Sequence, residues 1–141
     1  MRLMLIGPTG AGKTTLSHAL TGSTDQARKT QMIHFVGDFM DTPGEYLEIP
    51  RFYRALLVSA QQADRILLVV AADKPELQLP HGFAQAFSRP VIGVINKIDR
   101  VGCDLPSAYT ILGETGVKEP YFPVSAATGQ GLTGLKIYLG L

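Results

Sequence analysis

The sequence predicts a doubly wound α/β fold of three layers, with helices on both faces of a mostly parallel six-stranded sheet. Apolar segments alternate with amphipathic ones along the chain. Two of the apolar runs, Arg65–Ala72 and Pro90–Ile95, are typical of strands that are buried on both faces. A glycine-rich turn also joins the first apolar run to the first amphipathic segment. At 141 residues, the chain is expected to form one domain over residues 1–141.

The strands are predicted from short apolar runs bounded by glycine, proline or polar residues. They are Leu3–Ile6, Met32–Val36, Phe39–Asp41, Arg65–Ala72, Pro90–Ile95 and Tyr121–Val124. Gly37-Asp38 separates the second strand from the third and indicates a hairpin, so this pair is expected to be antiparallel.

The helices are predicted from apolar residues at helical spacing and from their start and stop signals. Pro106 and Gly116, for example, mark the first turn and the end of one helix. The predicted helices are Lys13–Leu20, Pro50–Gln62, His81–Phe87, Leu105–Thr115 and Leu132–Leu139.

Composition and charge exclude several classes of function. A net charge of +1 gives no electrostatic reason to expect nucleic acid or an anionic membrane as a partner. A single cysteine cannot form an internal disulfide, and the three histidines lack the spacing of metal ligands. The longest later apolar run, Ile66–Ala72, is too short to span a bilayer, and the first segment does not resemble a signal peptide. We therefore expect a soluble, cytoplasmic protein.

Residues 7–14, Gly-Pro-Thr-Gly-Ala-Gly-Lys-Thr, match the phosphate-binding pattern G-x-x-x-x-G-K-[ST]. The match stands between a buried strand and a helix, where backbone N–H groups can surround an anion. Lys13 can place its charge on the β- and γ-phosphates, and the Thr14 hydroxyl is a hard oxygen ligand for Mg²⁺. The residues expected to hold the phosphates are Gly7, Gly10, Ala11, Gly12, Lys13, Thr14 and Thr15.

Asp41-Thr-Pro-Gly44 follows the short third strand and predicts the second half of the metal site. At this end of a strand the Asp41 carboxylate can reach Mg²⁺, and the Gly44 N–H can approach the γ-phosphate. Taken alone, the same four residues are typical of an ordinary turn.

Asn96-Lys-Ile-Asp99 follows the strand Pro90–Ile95 and predicts the choice of base. The Asp99 carboxylate can accept from both N1–H and N2–H of guanine, whereas adenine offers neither donor there. Lys97 can cover the ring and Asn96 can brace the loop, although these charges could also be plain loop residues. The backbone N–H groups of Ser125-Ala126, after the last strand, could meet guanine O6.

These four elements follow separate strands whose ends converge on one crevice in a doubly wound sheet. Their order predicts a P-loop NTPase of the small-GTPase type that binds GTP or GDP with Mg²⁺.

With these motifs, the chain resembles the EutP/PduV family of small GTPase-like proteins, encoded with bacterial ethanolamine and propanediol utilisation genes. The stretches that carry the resemblance are Gly7–Thr14, Arg28-Lys-Thr-Gln31, Asp41-Thr-Pro-Gly-Glu-Tyr46 and Arg89-Pro-Val-Ile-Gly93. The resemblance implies a GTPase-like fold, and partners among the shell or enzyme proteins of metabolic microcompartments. Some relatives have also been linked to acetate kinase activity.

Two departures from ordinary small GTPases indicate slow turnover. Ten residues separate Thr30, the candidate switch threonine on Mg²⁺, from Asp41, so the first switch is short. Glu45 stands where many GTPases have a water-orienting glutamine, and its carboxylate adds repulsion beside the γ-phosphate, although it could also polarise water.

We therefore expect a slow, Mg²⁺-dependent GTPase that acts as a switch or assembly factor. One alternative is a phosphotransferase acting on a small acid such as acetate. The other is a shell scaffold that binds nucleotide without significant turnover.

Arg28, two residues before Thr30, could neutralise charge in the transition state, or it could be a solvated loop charge. If it is catalytic, Arg28→Ala should slow single-turnover GTP hydrolysis by about tenfold, roughly 1.4 kcal/mol, while GDP affinity barely changes. An unchanged hydrolysis rate would remove Arg28 from the mechanism.

Overall fold

A six-stranded sheet forms the centre of the computed structural model, which describes residues 2–21, 34–36 and 39–141. Within these residues the strand order is β2-β3-β1-β4-β5-β6. The strands are β1 (Leu3–Ile6), β2 (His34–Val36), β3 (Phe39–Asp41), β4 (Arg65–Ala71), β5 (Val91–Asn96) and β6 (Tyr121–Pro123).

The sheet is parallel except at one edge. β1 runs parallel to both β3 and β4, and β5 runs parallel to β4 and β6. β2 and β3 pair in antiparallel fashion, as predicted, while the Gly37-Asp38 turn lies outside the described residues. The register places Asp41 beside Leu5 and Asn96 beside Ala71. The carboxyl ends of β3, β1, β4 and β5 therefore form one edge of the sheet.

Five α-helices connect the strands within the described residues: α1 (Lys13–Thr21), α2 (Glu45–Glu48), α3 (Tyr53–Ala60), α4 (Leu105–Thr115) and α5 (Leu132–Leu139). α4 and α5 have the predicted bounds. Two other predictions need correction, and α2 was not predicted because four residues are too few to show a helical period.

The predicted helix Pro50–Gln62 is divided into a 3₁₀ turn, Pro50–Phe52, and α3. The predicted helix His81–Phe87 is a 3₁₀ turn, Phe83–Ala86, of four residues. Gly82 before this turn has a left-handed φ of 74°, and Phe87 after it is extended, so the backbone leaves helical geometry at both ends.

Two hydrophobic clusters cover the two faces of the sheet. One joins α3 and α4 to the sheet and includes Met4, Leu56, Ile66, Leu68, Ala108 and Leu112. The other joins α1 and α5 to the opposite face and includes Leu5, Leu16, Leu67, Val69, Leu135 and Leu139. Neighbouring residues of β1 and β4 fall in different clusters, which explains why these strands are apolar at almost every position.

The ends of α4 are stabilised by residues that the sequence places there. The Ser107 N–H donates to Asp104 Oδ1 at 3.1 Å, and the Ser107 hydroxyl donates to Asp104 Oδ2 at 2.6 Å. These two bonds, chiefly the one from the hydroxyl, hold the pKa of Asp104 below its ordinary value. Gly116 ends the helix with a left-handed φ of 94°.

Gly93 in β5 is a point of close approach between the sheet and α4. A Cβ at Gly93 would lie 2.9 Å from both Leu112 Cδ1 and Tyr121 Cδ1. Leu112 is fully buried, and the Tyr121 hydroxyl donates to Val117 O at 2.6 Å, so neither side chain can move away easily.

Gly93→Ala should lower the free energy of unfolding by about 1–3 kcal/mol, as expected for an overpacked core. Urea denaturation measures this change. Gly134→Ala is the control, because a Cβ at this position of α5 would meet nothing within 4 Å. Its higher helix propensity should raise the stability by about 0.5–1 kcal/mol. Wild-type stability for Gly93→Ala would contradict the tight approach.

Candidate functional site: a P-loop at the sheet edge

Residues 7–12 of the P-loop motif form a loop between β1 and α1 that requires glycine at several positions. A Cβ at Gly7 would overlap Val69 O of β4, and a Cβ at Gly12 would overlap Asn96 Nδ2. Gly10 and Gly12 also have left-handed φ angles of 86° and 89°. The glycines thus keep the loop backbone close to β4 and to the end of β5.

Lys13 places its charge inside this loop. Its side chain is 7% exposed, and Nζ donates to Gly7 O at 2.9 Å and to Pro8 O at 3.2 Å. Lys13 and Thr14 are the first residues of α1, where free helical N–H groups and the helix dipole favour an anion. The predicted phosphate residues are therefore together at one helix N-terminus.

Asn96 joins three parts of the site with one buried amide. Its side chain is 2% exposed, Nδ2 donates to Ala11 O at 3.0 Å, and Oδ1 accepts from the Ala126 N–H at 3.0 Å. Asn96 ends β5, Ala11 is in the P-loop, and Ala126 follows β6. These two bonds connect the end of β5 to the P-loop and to the segment after β6.

Lys97, the residue after Asn96, also contacts the P-loop. It has a positive φ of 66°, which is uncommon for a residue other than glycine, and its Nζ donates to Gly10 O at 2.6 Å. The stem of Lys97 therefore extends from the end of β5 towards the loop.

Asp99 is positioned by the Ser125 side chain, a role that the sequence analysis missed. Ser125 is fully buried, its Oγ donates to Asp99 Oδ1 at 2.8 Å, and the same Oγ accepts from the Thr128 N–H at 3.1 Å. The N-K-x-D spacing gave no sign of this bond, because Ser125 is 26 residues away in sequence. A serine at the end of the next strand of a parallel sheet was the available signal.

The backbone donors of Ser125 and Ala126 already have acceptors in the protein. The Ser125 N–H donates to Gln130 O at 2.8 Å, and the Ala126 N–H donates to Asn96 Oδ1. Their contact with guanine O6 stays a prediction, and it requires these hydrogen bonds to be shared or exchanged.

The segment after β3 lies against the P-loop. The Thr42 hydroxyl is fully buried and donates to Leu5 O at 2.8 Å, which ties this segment to β1. A Cβ at Gly44 would overlap the backbone nitrogen of Thr9. Glu48 at the end of α2 accepts from the Thr9 N–H through Oε1 at 3.1 Å, a contact that no sequence motif predicted.

The structure describes the positions of two of the three predicted metal residues, Thr14 and Asp41. Thr14 is the second residue of α1, and Asp41 ends β3 beside Leu5, at the same edge of the sheet. A hydroxyl and a carboxylate fit Mg²⁺, which takes few protein ligands when phosphates supply others. Glu45 begins α2, while Thr30 and Arg28 lie outside the described residues. The described residues contain no group of three or more His, Cys, Asp or Glu side chains that could hold a metal.

A family model described as ethanolamine utilisation and propanediol utilisation, PduV-EutP, matches residues 1–141. The chain belongs to the PduV-EutP family. This confirms the resemblance that was inferred from residues 7–14 and Asp41–Tyr46.

Two curated members of the PduV-EutP family illustrate the similarity. The chain is 41% identical over 141 residues to the protein named "Probable acetate kinase EutP" of Escherichia coli (strain K12), covering 98% of this chain and 88% of that protein. It is 40% identical over 139 residues to the "Propanediol utilization protein PduV" of Citrobacter freundii, covering 98% and 92%.

Solved structures similar to this chain are GTPase domains. A probable GTP-binding protein engB aligns with a TM-score of 0.70 at 22% identity, over 99% of this chain and 97% of that chain. The G domain of the T. maritima FeoB iron transporter aligns with a TM-score of 0.63 at 24% identity, over 99% and 96%. The predicted α/β class of GTPase type is confirmed, and fold and family together indicate a nucleotide-binding protein. In the described part of the chain, no helix is long and apolar enough to cross a membrane.

Ser125→Ala should weaken GDP binding by about three- to tenfold, because it removes a hydrogen bond to a carboxylate that is worth about 1 kcal/mol. Calorimetric titration measures the affinity directly. Ser107→Ala is the matched control, since it removes a similar bond, to Asp104, at the start of α4. Equal GDP affinity in wild type and Ser125→Ala would show that Ser125 does not position Asp99.

Proposed function

We propose that this protein binds guanine nucleotides with Mg²⁺ and hydrolyses GTP slowly, as a switch or assembly factor. The observation that carries the proposal is the pair of hydrogen bonds that Asn96 makes with Ala11 and Ala126, because they join the elements proposed to read the base and to bind phosphate.

Base selection is assigned to Asp99. Ser125 Oγ is bonded to one oxygen of its carboxylate, and no described residue donates to the other oxygen. A carboxylate held in this way can accept from the N1–H and N2–H of guanine, and adenine would leave it unpaired. Lys97, whose Nζ donates to Gly10 O, is proposed to cover the base plane.

Phosphate binding is assigned to the P-loop backbone and Lys13. Lys13 is 7% exposed and its ammonium donates to two loop carbonyls, so its charge acts in a low dielectric. Thr14 and Asp41 would hold Mg²⁺, which neutralises charge on the β- and γ-phosphates when it is bound.

Hydrolysis is expected to be slow because of Glu45. It follows Gly44 directly and begins α2, where many GTPases carry a glutamine that orients water. A carboxylate there repels the terminal phosphate. Lys13 and Arg28 are the cations proposed to offset the charge of the transition state.

The cellular role is proposed from the family. Its description names ethanolamine and propanediol utilisation, and one relative is a propanediol utilisation protein. We infer an association with the shell or enzyme proteins of a cytoplasmic microcompartment. A scaffold that binds nucleotide without significant turnover differs from this proposal only in the hydrolysis rate.

The name of the E. coli relative suggests the rival reaction, phosphoryl transfer to or from a small acid. A cleft of about 390 Å³ beside Thr9 and Gly10 is the place for such an acceptor. Three carboxylates and two lysines line it: Glu48, Asp73, Glu76, Lys74 and Lys97. Lys97 is already hydrogen-bonded to Gly10 O, and the cleft has more carboxylates than lysines. Its charges therefore disfavour the binding of an acetate-sized anion.

A calorimetric titration with GDP, GTP and ATP, each with Mg²⁺, tests the proposal. GDP and GTP should bind at least about 100-fold more tightly than ATP, the discrimination expected when a site that pairs with the hydrogen-bond donors of one base meets a base that lacks them. Comparable affinities for ATP and GTP would refute the assignment of Asp99 and favour the phosphotransferase.

Asp99→Asn should shift the preference from guanine to xanthine nucleotides. An amide N–H at this position can donate to the 2-oxo group that replaces the guanine amine. Competition between GDP and xanthosine diphosphate measures the shift, with Asp104→Asn as a control that changes a nearby carboxylate outside the site. A variant that still prefers GDP would show that Asp99 does not read the base.

A further inference from the structure

Glu48 places a carboxylate on a P-loop N–H group. Oε1 of Glu48 accepts from the Thr9 N–H at 3.1 Å, although the two residues are 39 positions apart. Thr9 is the third residue of a loop whose N–H groups are suited to bind phosphate. An anionic side chain of the protein therefore occupies a donor that a nucleotide anion could use.

Thr9 is the loop residue that lies against the segment after β3. Lys97 and Asn96 bind the carbonyls of Gly10 and Ala11, whereas Gly44, from the segment after β3, contacts Thr9. A nucleotide whose base lies at Asn96 and Lys97 would therefore extend its last phosphate towards Thr9 and Gly44.

The backbone around Glu48 is held in place. Its neighbour Leu47 is 1% exposed in the core cluster with α3 and α4, and Tyr46 stacks on Phe52 with ring centroids 4.9 Å apart. The Glu48 side chain itself is exposed and can rotate. Its charge would thus stay near the last phosphate even after the carboxylate left Thr9.

We propose that Glu48 sets the preference of this site between nucleoside diphosphate and triphosphate. Its carboxylate competes with the terminal phosphoryl group of GTP for the Thr9 N–H and repels that group at short range. GDP, which lacks this phosphoryl group, does not meet the competition. The inference rests on the proposed binding of guanine nucleotides and adds a residue that no motif assigns.

The test is calorimetric titration of the full chain and its variants with GDP and a non-hydrolysable GTP analogue, both with Mg²⁺. Glu48→Gln should raise the affinity for the analogue by at least about threefold, because one charge near the phosphate is removed. Its GDP affinity should stay at the wild-type value. Glu48→Ala should also raise the affinity for the analogue. Circular dichroism is the check that both variants are folded.

Glu76→Gln is the matched control. Glu76 lines the same cleft but makes no hydrogen bond or ion pair with any described residue, so its removal should leave the ratio of the two affinities near the wild-type value. The effect of Glu48→Gln should also shrink when salt is raised from about 0.1 M to about 1 M, because the Debye length falls from about 10 to about 3 Å. A structural anchor would not respond to salt in this way.

Three outcomes would overturn the inference. An unchanged ratio of affinities in Glu48→Gln would show that its charge does not reach the terminal phosphate. An equal loss of affinity for GDP and the analogue would make Glu48 an anchor of α2 instead. If wild-type protein bound neither nucleotide, the proposed function itself would fail, whereas normal GDP binding with an unchanged ratio would refute only the role of Glu48.

Discussion

The site depends on one buried side chain, the amide of Asn96. Its donor and acceptor are both used, on Ala11 of the P-loop and on Ala126 after β6, and the side chain is 2% exposed. A buried amide that lost either partner would carry the full cost of desolvation, so the three segments are constrained to one arrangement. Gly12 is part of the same constraint, because any Cβ there would overlap Asn96 Nδ2.

Side chains of opposite charge make hydrogen bonds to the P-loop backbone. Lys13 and Lys97 donate to loop carbonyls and bring positive charge to the loop. Glu48, which lines the same cleft as Lys97, accepts from a loop N–H and brings negative charge. If the site binds nucleotide as proposed, the balance between these charges sets how well successive phosphates are tolerated. Its selectivity would then depend on residues outside the glycine-rich motif as well as in it.

The fold provides this arrangement through the parallel sheet. Parallel strands bring their carboxyl ends to one edge, so segments that are distant in sequence meet there. The two faces are covered by separate hydrophobic clusters, and the site lies at the edge between them. Membership of the PduV-EutP family and the likeness to GTPase domains agree with this placement.

The sequence by itself determined the class of fold, the P-loop and the bounds of α4 and α5, because these depend on local signals: apolar runs, glycines of fixed spacing, Pro106 and Gly116. It failed at α2 and at Phe83–Ala86, where four residues are too short for a period. The tertiary structure alone decided the bonds of Ser125 to Asp99 and of Glu48 to Thr9. Such pairs leave no trace in spacing, because they form only when distant segments are brought to one sheet edge by burial of the core.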